Sequence, residues 1–197
     1  MARAWNVWQQ RGLFTLAVMP LILTLGCAQI PLSNPTPSFE IIEKAKASRT
    51  APVALGLFKV DPKVNADIDK GLNVRTNTIA SPFENSFAQY LKQTLQTDLQ
   101  ASGLYDAAAP ITLNGYLTES VLDVPTDTGR ANLGARFVLV RTGVTIFEKE
   151  LKANANWPSS FLGPIAIPAA INHYTSLFHK LVGQLLDDPD FQRANSK

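Results

Sequence analysis

Cysteine and histidine are scarce in this sequence, and their scarcity excludes several classes of protein. The chain of 197 residues has one cysteine, Cys27, and two histidines, His173 and His179. A single cysteine excludes an intramolecular disulfide framework and a zinc site built from several cysteines. The histidines are six residues apart, which turns them to different sides of a helix and excludes the paired-histidine zinc motif. We therefore expect neither a metal nor another cofactor.

An excess of charge is lacking as well, once the amino-terminal segment is set aside. Charged residues make up 17% of the chain, with a formal net charge of +2. Residues 1–26 contain Arg3 and Arg11 but no acid, so the remaining chain has 16 basic and 16 acidic residues. A neutral chain lacks the clustered positive charge needed for sequence-independent nucleic-acid binding or for docking on anionic lipid. We expect no nucleic-acid partner.

Long apolar runs are also absent, which argues against a membrane-spanning helix. The longest charge-free apolar stretch runs from Leu13 to Gly26 and contains Pro20. It is shorter than the approximately 20 residues that span a bilayer, and proline would kink a helix. With Arg3 and Arg11 before it and small Gly26 at its end, the segment has the layout of a secretory signal.

The segment around the single cysteine, Leu23-Thr24-Leu25-Gly26-Cys27, resembles the lipobox of bacterial lipoproteins. The resemblance implies cleavage between Gly26 and Cys27, a diacylglyceryl group on the Cys27 thiol, and acylation of the new amino group. Thr24 departs from the leucine usual in that family. Two or more acyl chains hold a protein stably at a bilayer, so lipid would be the anchor. Ala28, rather than aspartate, implies the outer membrane. The alternative is an ordinary signal peptide or membrane anchor with an incidental cysteine.

Composition and the lipobox resemblance together divide the chain into three segments. The resemblance implies a lipoprotein signal peptide (1–26) and a lipidated cysteine, which begins a flexible Pro-rich tether (27–50), and the rest is expected to be a periplasmic domain (51–197). The tether prediction rests on three prolines in residues 28–38, where serine and asparagine are frequent and apolar periodicity is missing. Residues 39–50 are compatible with more tether, a short helical turn or a strand.

Hydrophobic spacing in residues 51–197 predicts an α+β fold with the order β-α-β-β-β-α. A capping pattern at Ser81-Pro82-Phe83-Glu84 predicts a helix of about 21 residues that ends at Gly103. Thr142-Gly143 predicts a two-residue hairpin turn. We expect two helices on one face of a mostly antiparallel sheet of about four strands. Strands are predicted at 53–60, 111–118, 131–139 and 144–157, and the closing helix at 167–185.

Two surfaces are candidates for partner binding. Thr112, Asn114 and Tyr116 alternate with apolar residues, so they point to the side of the sheet that the helices leave free. Trp157 and Phe161 lie in an aromatic, Pro-rich stretch that is either a binding lip or a lid over the core.

Nucleophilic catalysis has weak support in the sequence. Ser159 and Ser160 precede His173 and His179, but no G-x-S-x-G motif marks a nucleophile. The simpler interpretation is that these serines only end a strand. We therefore predict no enzyme, with a serine hydrolase as a remote alternative.

The order of elements gives a wider resemblance over residues 20–192. The segments FAQYLKQTLQTDLQASGLY, ITLNGYLTESVLDV, RFVLVRTGVTIFEKELKANANW and INHYTSLFHKLVGQLLDDPDF follow the lipobox and the tether. The whole resembles small outer-membrane lipoproteins of the YajG-like kind and, more distantly, LptE. This implies a non-catalytic envelope lipoprotein, anchored by Cys27 to the outer membrane. We expect it on the periplasmic face, with the cell surface as the alternative. Its expected role is to bind or assemble an envelope protein, and the alternative is an amphiphile-binding, lipopolysaccharide-binding or transport-auxiliary lipoprotein.

Overall fold

The computed structural model of the protein describes residues 29–196. The predicted signal peptide, its cleavage position at Gly26 and the lipidation site Cys27 lie outside the described residues. Across residues 29–196, no helix has both the length and the apolar character needed to cross a bilayer.

The described chain folds into two sheets with helices packed beside them. The larger sheet has the strand order β2-β5-β6-β7, and the smaller has the order β1-β4-β3. The elements are β1 (Gln29–Pro31), α1 (Phe39–Ala47), β2 (Ala54–Val60), a 3-10 helix (Ala66–Asp69), β3 (Leu72–Val74), β4 (Asn77–Ala80), α2 (Phe87–Ala101), β5 (Ile111–Asp123), β6 (Thr128–Arg141), β7 (Val144–Pro158), α3 (Gly163–Asp187) and α4 (Pro189–Ala194). The predicted α+β class is confirmed, and β2-α2-β5-β6-β7-α3 is the predicted order.

The large sheet is built on the meander β5-β6-β7, whose strands pair antiparallel. Along β6, the side chains of Leu133, Ala135 and Phe137 alternate into the core and are fully buried. The predicted turn is present: Thr142 and Gly143 both have positive φ, 48° and 80°, as a two-residue turn between twisted strands requires. β2 adds to β5 in parallel at the other edge.

The two predicted helices pack on one face of this sheet. α2 buries Phe87, Leu91, Leu95 and Leu99, and α3 buries a stripe that includes Tyr174, Phe178 and Leu181. The helices meet through aromatic rings, with centroids 5.3 Å apart for Phe87 and Tyr174 and 4.7 Å for Tyr90 and Phe178. Edge-to-face geometry of this kind adds to the stabilisation from buried apolar area.

The start of α2 differs from the prediction. Ser86, not Ser81, caps the helix by accepting the N–H of Gln89, and α2 has 15 residues. Glu84 and Asn85 have φ of 54° and 53°, a left-handed conformation that cannot continue in an α-helix. The Ser81 hydroxyl instead accepts the N–H of Phe83 and closes a local turn.

Two parts of the segment expected to be a tether, β1 with Leu32 and α1, are packed onto the domain. β1 pairs in parallel with β4, and Leu32 is buried beside it. In α1, Ser38 is the N-cap and the apolar side is buried through Ile41 and Ala45. The physical reason is that the isolated apolar residues of this Pro-rich stretch find partners in β4, α2 and α3. The described chain thus begins on the domain, two residues after Cys27.

Both edges of the large sheet have main-chain carbonyls occupied by helix side chains. On β2, Gln89 of α2 donates its Nε2–H to the Phe58 carbonyl at 2.8 Å. On β7, Gln184 of α3 donates to the Lys152 carbonyl at 3.0 Å, and Lys180 donates to that of Asn154 at 3.1 Å. These bonds satisfy edge groups that would otherwise face solvent.

Candidate functional site

The face of the large sheet opposite α2 and α3, here called the free face, has Tyr116 and Arg136 at its centre. These residues oppose each other on β5 and β6, and the Arg136 guanidinium carbon lies 4.4 Å from the centroid of the Tyr116 ring. Such a cation–π contact contributes about 0.5–1 kcal/mol at partly exposed sites. The pair therefore has a fixed shape although both side chains are still partly open to solvent.

Arg136 is held from two sides by carboxylates. Its Nη2 lies 2.7 Å from Oδ2 of Asp61, which follows β2, and its Nη1 lies 2.9 Å from Oε1 of Glu148 on β7. The guanidinium thus links strands at three positions across the sheet. Charge-assisted bonds of this geometry are roughly twice as strong as neutral ones.

Asp61 is the buried member of this cluster, with 3% of its side chain exposed. The backbone N–H of Lys63 donates to its Oδ1 at 2.9 Å, and this bond makes the largest contribution to lowering the pKa of Asp61. Burial opposes the shift, and the Arg136 guanidinium reinforces it, so the pKa lies below its ordinary value. The carboxylate therefore stays charged, and Arg136 stays oriented.

Asn114 has a structural role on the free face. The register of β2 against β5 shifts between Leu55 and Phe58, and Asn114 Oδ1 accepts the N–H of Leu57 there at 2.8 Å. Gly56 is required beside it, because an added Cβ would lie 2.3 Å from the same oxygen. Asn114 thus replaces a missing ladder bond at a bulge.

A second ionic cluster continues the free face toward the far ends of β5 and β7. Thr118 donates to Glu150 at 2.9 Å, and Lys152 lies 3.3 Å from Glu119 and 3.5 Å from Glu150. These side chains are largely exposed, and exposed pairs contribute under about 1 kcal/mol. The cluster therefore supplies polar contact area more than stability.

The structure separates the candidate surface residues. Thr112, Asn114 and Tyr116 share the free face, as the alternation predicts. Trp157 is on the other side: it is 5% exposed, its ring stacks on His173 at 4.4 Å, and it covers Gly129. Its candidacy as an exposed binding residue is wrong, because the helix side of β7 buries it. Phe161 is exposed, at 77%.

The structure gives the candidate serines and the two histidines separate surroundings within residues 29–196. Ser160 Oγ accepts the N–H of Leu162 at 3.1 Å, and Ser159 Oγ is buried with no hydrogen-bond partner there. His173 stacks on Trp157, whereas His179 contacts Asp98. Neither serine is hydrogen-bonded to either histidine among the described contacts.

Asp98 is a functional-looking residue that the sequence reasoning missed. Its carboxylate is fully buried, accepts the N–H of Ser38 at 2.9 Å, and lies 2.8 Å from Nδ1 of His179. The sequence could have predicted its burial, because positions 87, 91, 94 and 98 follow the 4-3-4 spacing of residues on the buried face of a helix. Asp98, which lies on α2, thus connects that helix to the N-cap of α1 and to α3.

His179 also borders a groove of about 650 Å³ between α1, α3 and β7. Lys44, Lys152 and Lys180 line this groove, but each is already engaged, with Asp187, Glu119 and the Asn154 carbonyl respectively. Among residues 29–196, no group of three or more His, Cys, Asp or Glu side chains is placed to hold a metal.

No protein-family model matches the chain, and no curated protein does. Among solved structures, a protein from Xanthomonas campestris assigned to the family DUF330 is similar, with a TM-score of 0.54 and 13% identity over 81% of this chain and 95% of that one. A candidate lipoprotein from Caulobacter crescentus has a TM-score of 0.48 and 10% identity, covering 80% of this chain and 97% of its own. A minor lipoprotein from Acinetobacter baumannii has a TM-score of 0.40 and 14% identity, covering 52% and 83%. The likeness to the Xanthomonas protein shows a shared fold.

Proposed function

We propose that this chain is a lipid-anchored lipoprotein of the bacterial outer membrane that binds an envelope protein on the periplasmic side and performs no catalysis. The anchor is the acyl group implied at Cys27 by the lipobox-like segment that ends there. We also propose that the chain is a lipoprotein of the YajG-like kind, on the basis of its element order and hydrophobic spacing.

The observation that carries the proposal is the Tyr116–Arg136 pair at the centre of the free face. Tyrosine and arginine are enriched among the residues that dominate binding energy at protein interfaces. Asp61 and Glu148 already fix the Arg136 side chain, so a partner would not have to immobilise it. The surrounding polar cluster of Thr118, Glu150 and Lys152 has the character of an interface rim.

Anchoring strengthens such an interface without adding contacts. A protein held at the same membrane as its partner meets it at a raised effective concentration, so a weak contact becomes a populated one. The balanced charge of residues 27–197 fits short-range recognition better than long-range electrostatic steering.

The alternative function, amphiphile binding, gains no support from the groove between α1, α3 and β7. A carrier needs a predominantly apolar cavity for acyl chains, and charged and polar side chains line this groove together with Ile41 and Ala153. A hydrolase gains none from the separated serines and histidines. Neither alternative is favoured by a specific observation.

Site-specific photocrosslinking in cells tests the proposal. A benzophenone amino acid replaces Thr112 on the free face, and a second chain carries it at Lys46, an exposed position on α1. We expect an adduct of one defined mass from position 112 and none from position 46. The adduct should be lost when Tyr116→Ala is added, and when Cys27→Ala removes the anchor.

Three results would contradict the proposal. Equal adducts from positions 112 and 46 would mean non-specific contact, and no adduct from position 112 would leave the free face without a partner. A mature chain with no acyl mass at its amino terminus would show that the proposed lipid anchor is absent.

A further inference from the structure

Three large apolar side chains are exposed within five residues of one another at the start of α3. Phe161 is 77% exposed, Leu162 56% and Ile165 58%. These three residues, here called the apolar lip, fall within five consecutive positions, whereas the other exposed apolar side chains of the described chain, such as Phe39 and Val144, are scattered along the sequence. Contiguous exposed apolar surface marks a contact site, while single exposed residues are ordinary.

Arg75 fastens the loop that carries the apolar lip to the small sheet. Arg75 lies in the turn between β3 and β4, and its guanidinium donates to the carbonyls of Ser160 at 2.7 Å and of Phe161 at 3.3 Å. It also donates to the Pro125 carbonyl at 3.3 Å, in the loop between β5 and β6. The apolar lip and the β3–β4 turn therefore lie at the same end of the molecule.

The described chain begins at that end too. Gln29, the first residue of β1, is paired with Thr78 on β4, three residues from Arg75. Because β1 and β4 are parallel, the chain enters β1 from the side of the β3–β4 turn. One strand spacing, three strand residues and an arginine side chain place Gln29 within roughly 20–25 Å of the apolar lip.

The anchor itself cannot be far from Gln29. Gln29 is two positions after Cys27, and two extended residues span at most about 7 Å. A domain of this size is about 40 Å across. The separation between Cys27 and the apolar lip is therefore less than the width of the domain, and a lipid on Cys27 would bring the end of the domain that carries the apolar lip toward the headgroups.

We propose that the apolar lip inserts into the lipid bilayer beside the anchor and fixes the orientation of the domain on the membrane. This inference rests on the proposed lipidation of Cys27. Phe161, Leu162 and Ile165 supply the apolar surface that the interface takes up. The β3–β4 turn and the β5–β6 hairpin end that meet here carry Arg75 and Arg130 together with Asp123 and Asp127, so their charges cancel. The contact is therefore apolar and insensitive to salt.

The fluorescence of a dye on one introduced cysteine, in a chain that keeps Cys27, tests this inference. The protein is produced with its signal in a Gram-negative host, and the mature form is placed in phosphatidylethanolamine–phosphatidylglycerol vesicles. Phe161→Cys receives a thiol-reactive NBD dye. Phe39→Cys, of equal exposure at 79%, and Val144→Cys, at the opposite end of the sheet, are the matched controls. The wild-type chain should take no dye, since its one cysteine is the acylated residue.

We expect spin-labelled acyl chains in the vesicles to quench the dye at position 161 several-fold more than at positions 39 and 144, with little change between low and high salt. Equal quenching at all three positions, with the acyl mass present on Cys27, would overturn the inference and leave the anchor intact. Dye uptake by wild-type Cys27 with no quenching at position 161 would overturn both. Quenching at position 161 in a chain without the acyl mass would support the apolar lip alone.

Discussion

His179 Nδ1 lies 2.8 Å from Oδ2 of Asp98, a carboxylate that is completely buried between α2 and α3. The other oxygen of the same carboxylate accepts the N–H of Ser38, the N-cap of α1. One side chain thus joins three helices, and it holds the amino-terminal segment onto the domain.

Asp98→Ala should lower the free energy of unfolding by about 1–3 kcal/mol, because the Ser38 N–H and the His179 ring lose their hydrogen-bond partner. Asp187→Ala is the matched control. It removes an ion pair to Lys44 that also links α3 to α1 but is exposed, and such pairs contribute under about 1 kcal/mol. Urea unfolding of the mature protein measures both. Equal effects would show that the buried carboxylate has no special role.

Arg136→Ala should destabilise the protein by about 1.5–3 kcal/mol, since it leaves the buried Asp61 carboxylate without its guanidinium. It should also abolish the crosslink from position 112. Arg130→Ala serves as the control, because Arg130 pairs with Asp123 in an exposed bridge. Crosslinking that persists in Arg136→Ala would show that the partner does not recognise the Tyr116–Arg136 pair.

Gly129→Ala should displace Trp157. An added Cβ would lie 2.4 Å from the indole Cε2, and overpacking of this kind costs about 1–3 kcal/mol. Trp157 becomes the only tryptophan once residues 1–26 are removed, so its emission maximum should shift to the red. Gly163→Ala has no neighbour nearer than 3.9 Å and should leave the emission unchanged. An unshifted spectrum in Gly129→Ala would contradict the close packing.

Acid should destabilise the fold through Asp61 and Asp188. Burial raises the pKa of Asp188, but hydrogen bonds from Lys149 and from the Phe191 and Asp190 N–H groups outweigh it, so the pKa lies below its ordinary 3.8. The pKa of Asp61 is lowered too. Groups with lowered pKa in the folded state stabilise it above the unfolded value, and that stabilisation is lost as the pH falls from about 5 through the folded pKa.

The check is urea unfolding at several pH values from 7 to 3. The free energy of unfolding should hold between pH 7 and 5 and then decline. Asp188→Asn should be less stable at pH 7 and show a shallower decline, because its share of the linkage is gone. A decline as steep as in the wild-type chain would mean that other groups control acid stability.

The large sheet was predictable because its signals are local. Alternation along β5 and β6 and the Thr142-Gly143 turn specify strands and pairing from neighbouring residues alone. The position of Tyr116 on the free face follows from the same alternation. Its pairing with Arg136 does not, because the register of β5 against β6 depends on the loop that joins them and on the bulge between Leu117 and Glu119.

The small sheet and the start of α2 were not predictable from such signals. β1 pairs with β4 across nearly fifty residues, and neither strand is long enough to show a period. Two overlapping capping patterns, at Ser81 and Ser86, compete before α2. Tertiary packing decides between them, since Phe87 is fully buried whereas Phe83 is only partly covered.

The glutamines on the two margins of the large sheet restrict how molecules of this kind can meet. Gln89 and Gln184 occupy acceptors on β2 and β7 that a foreign strand would need for pairing. Without these bonds, copies confined to a surface would be prone to pair edge to edge and form extended sheets. Because these carbonyls are occupied, contacts between molecules are directed to the free face of the sheet, where Tyr116 and Arg136 lie.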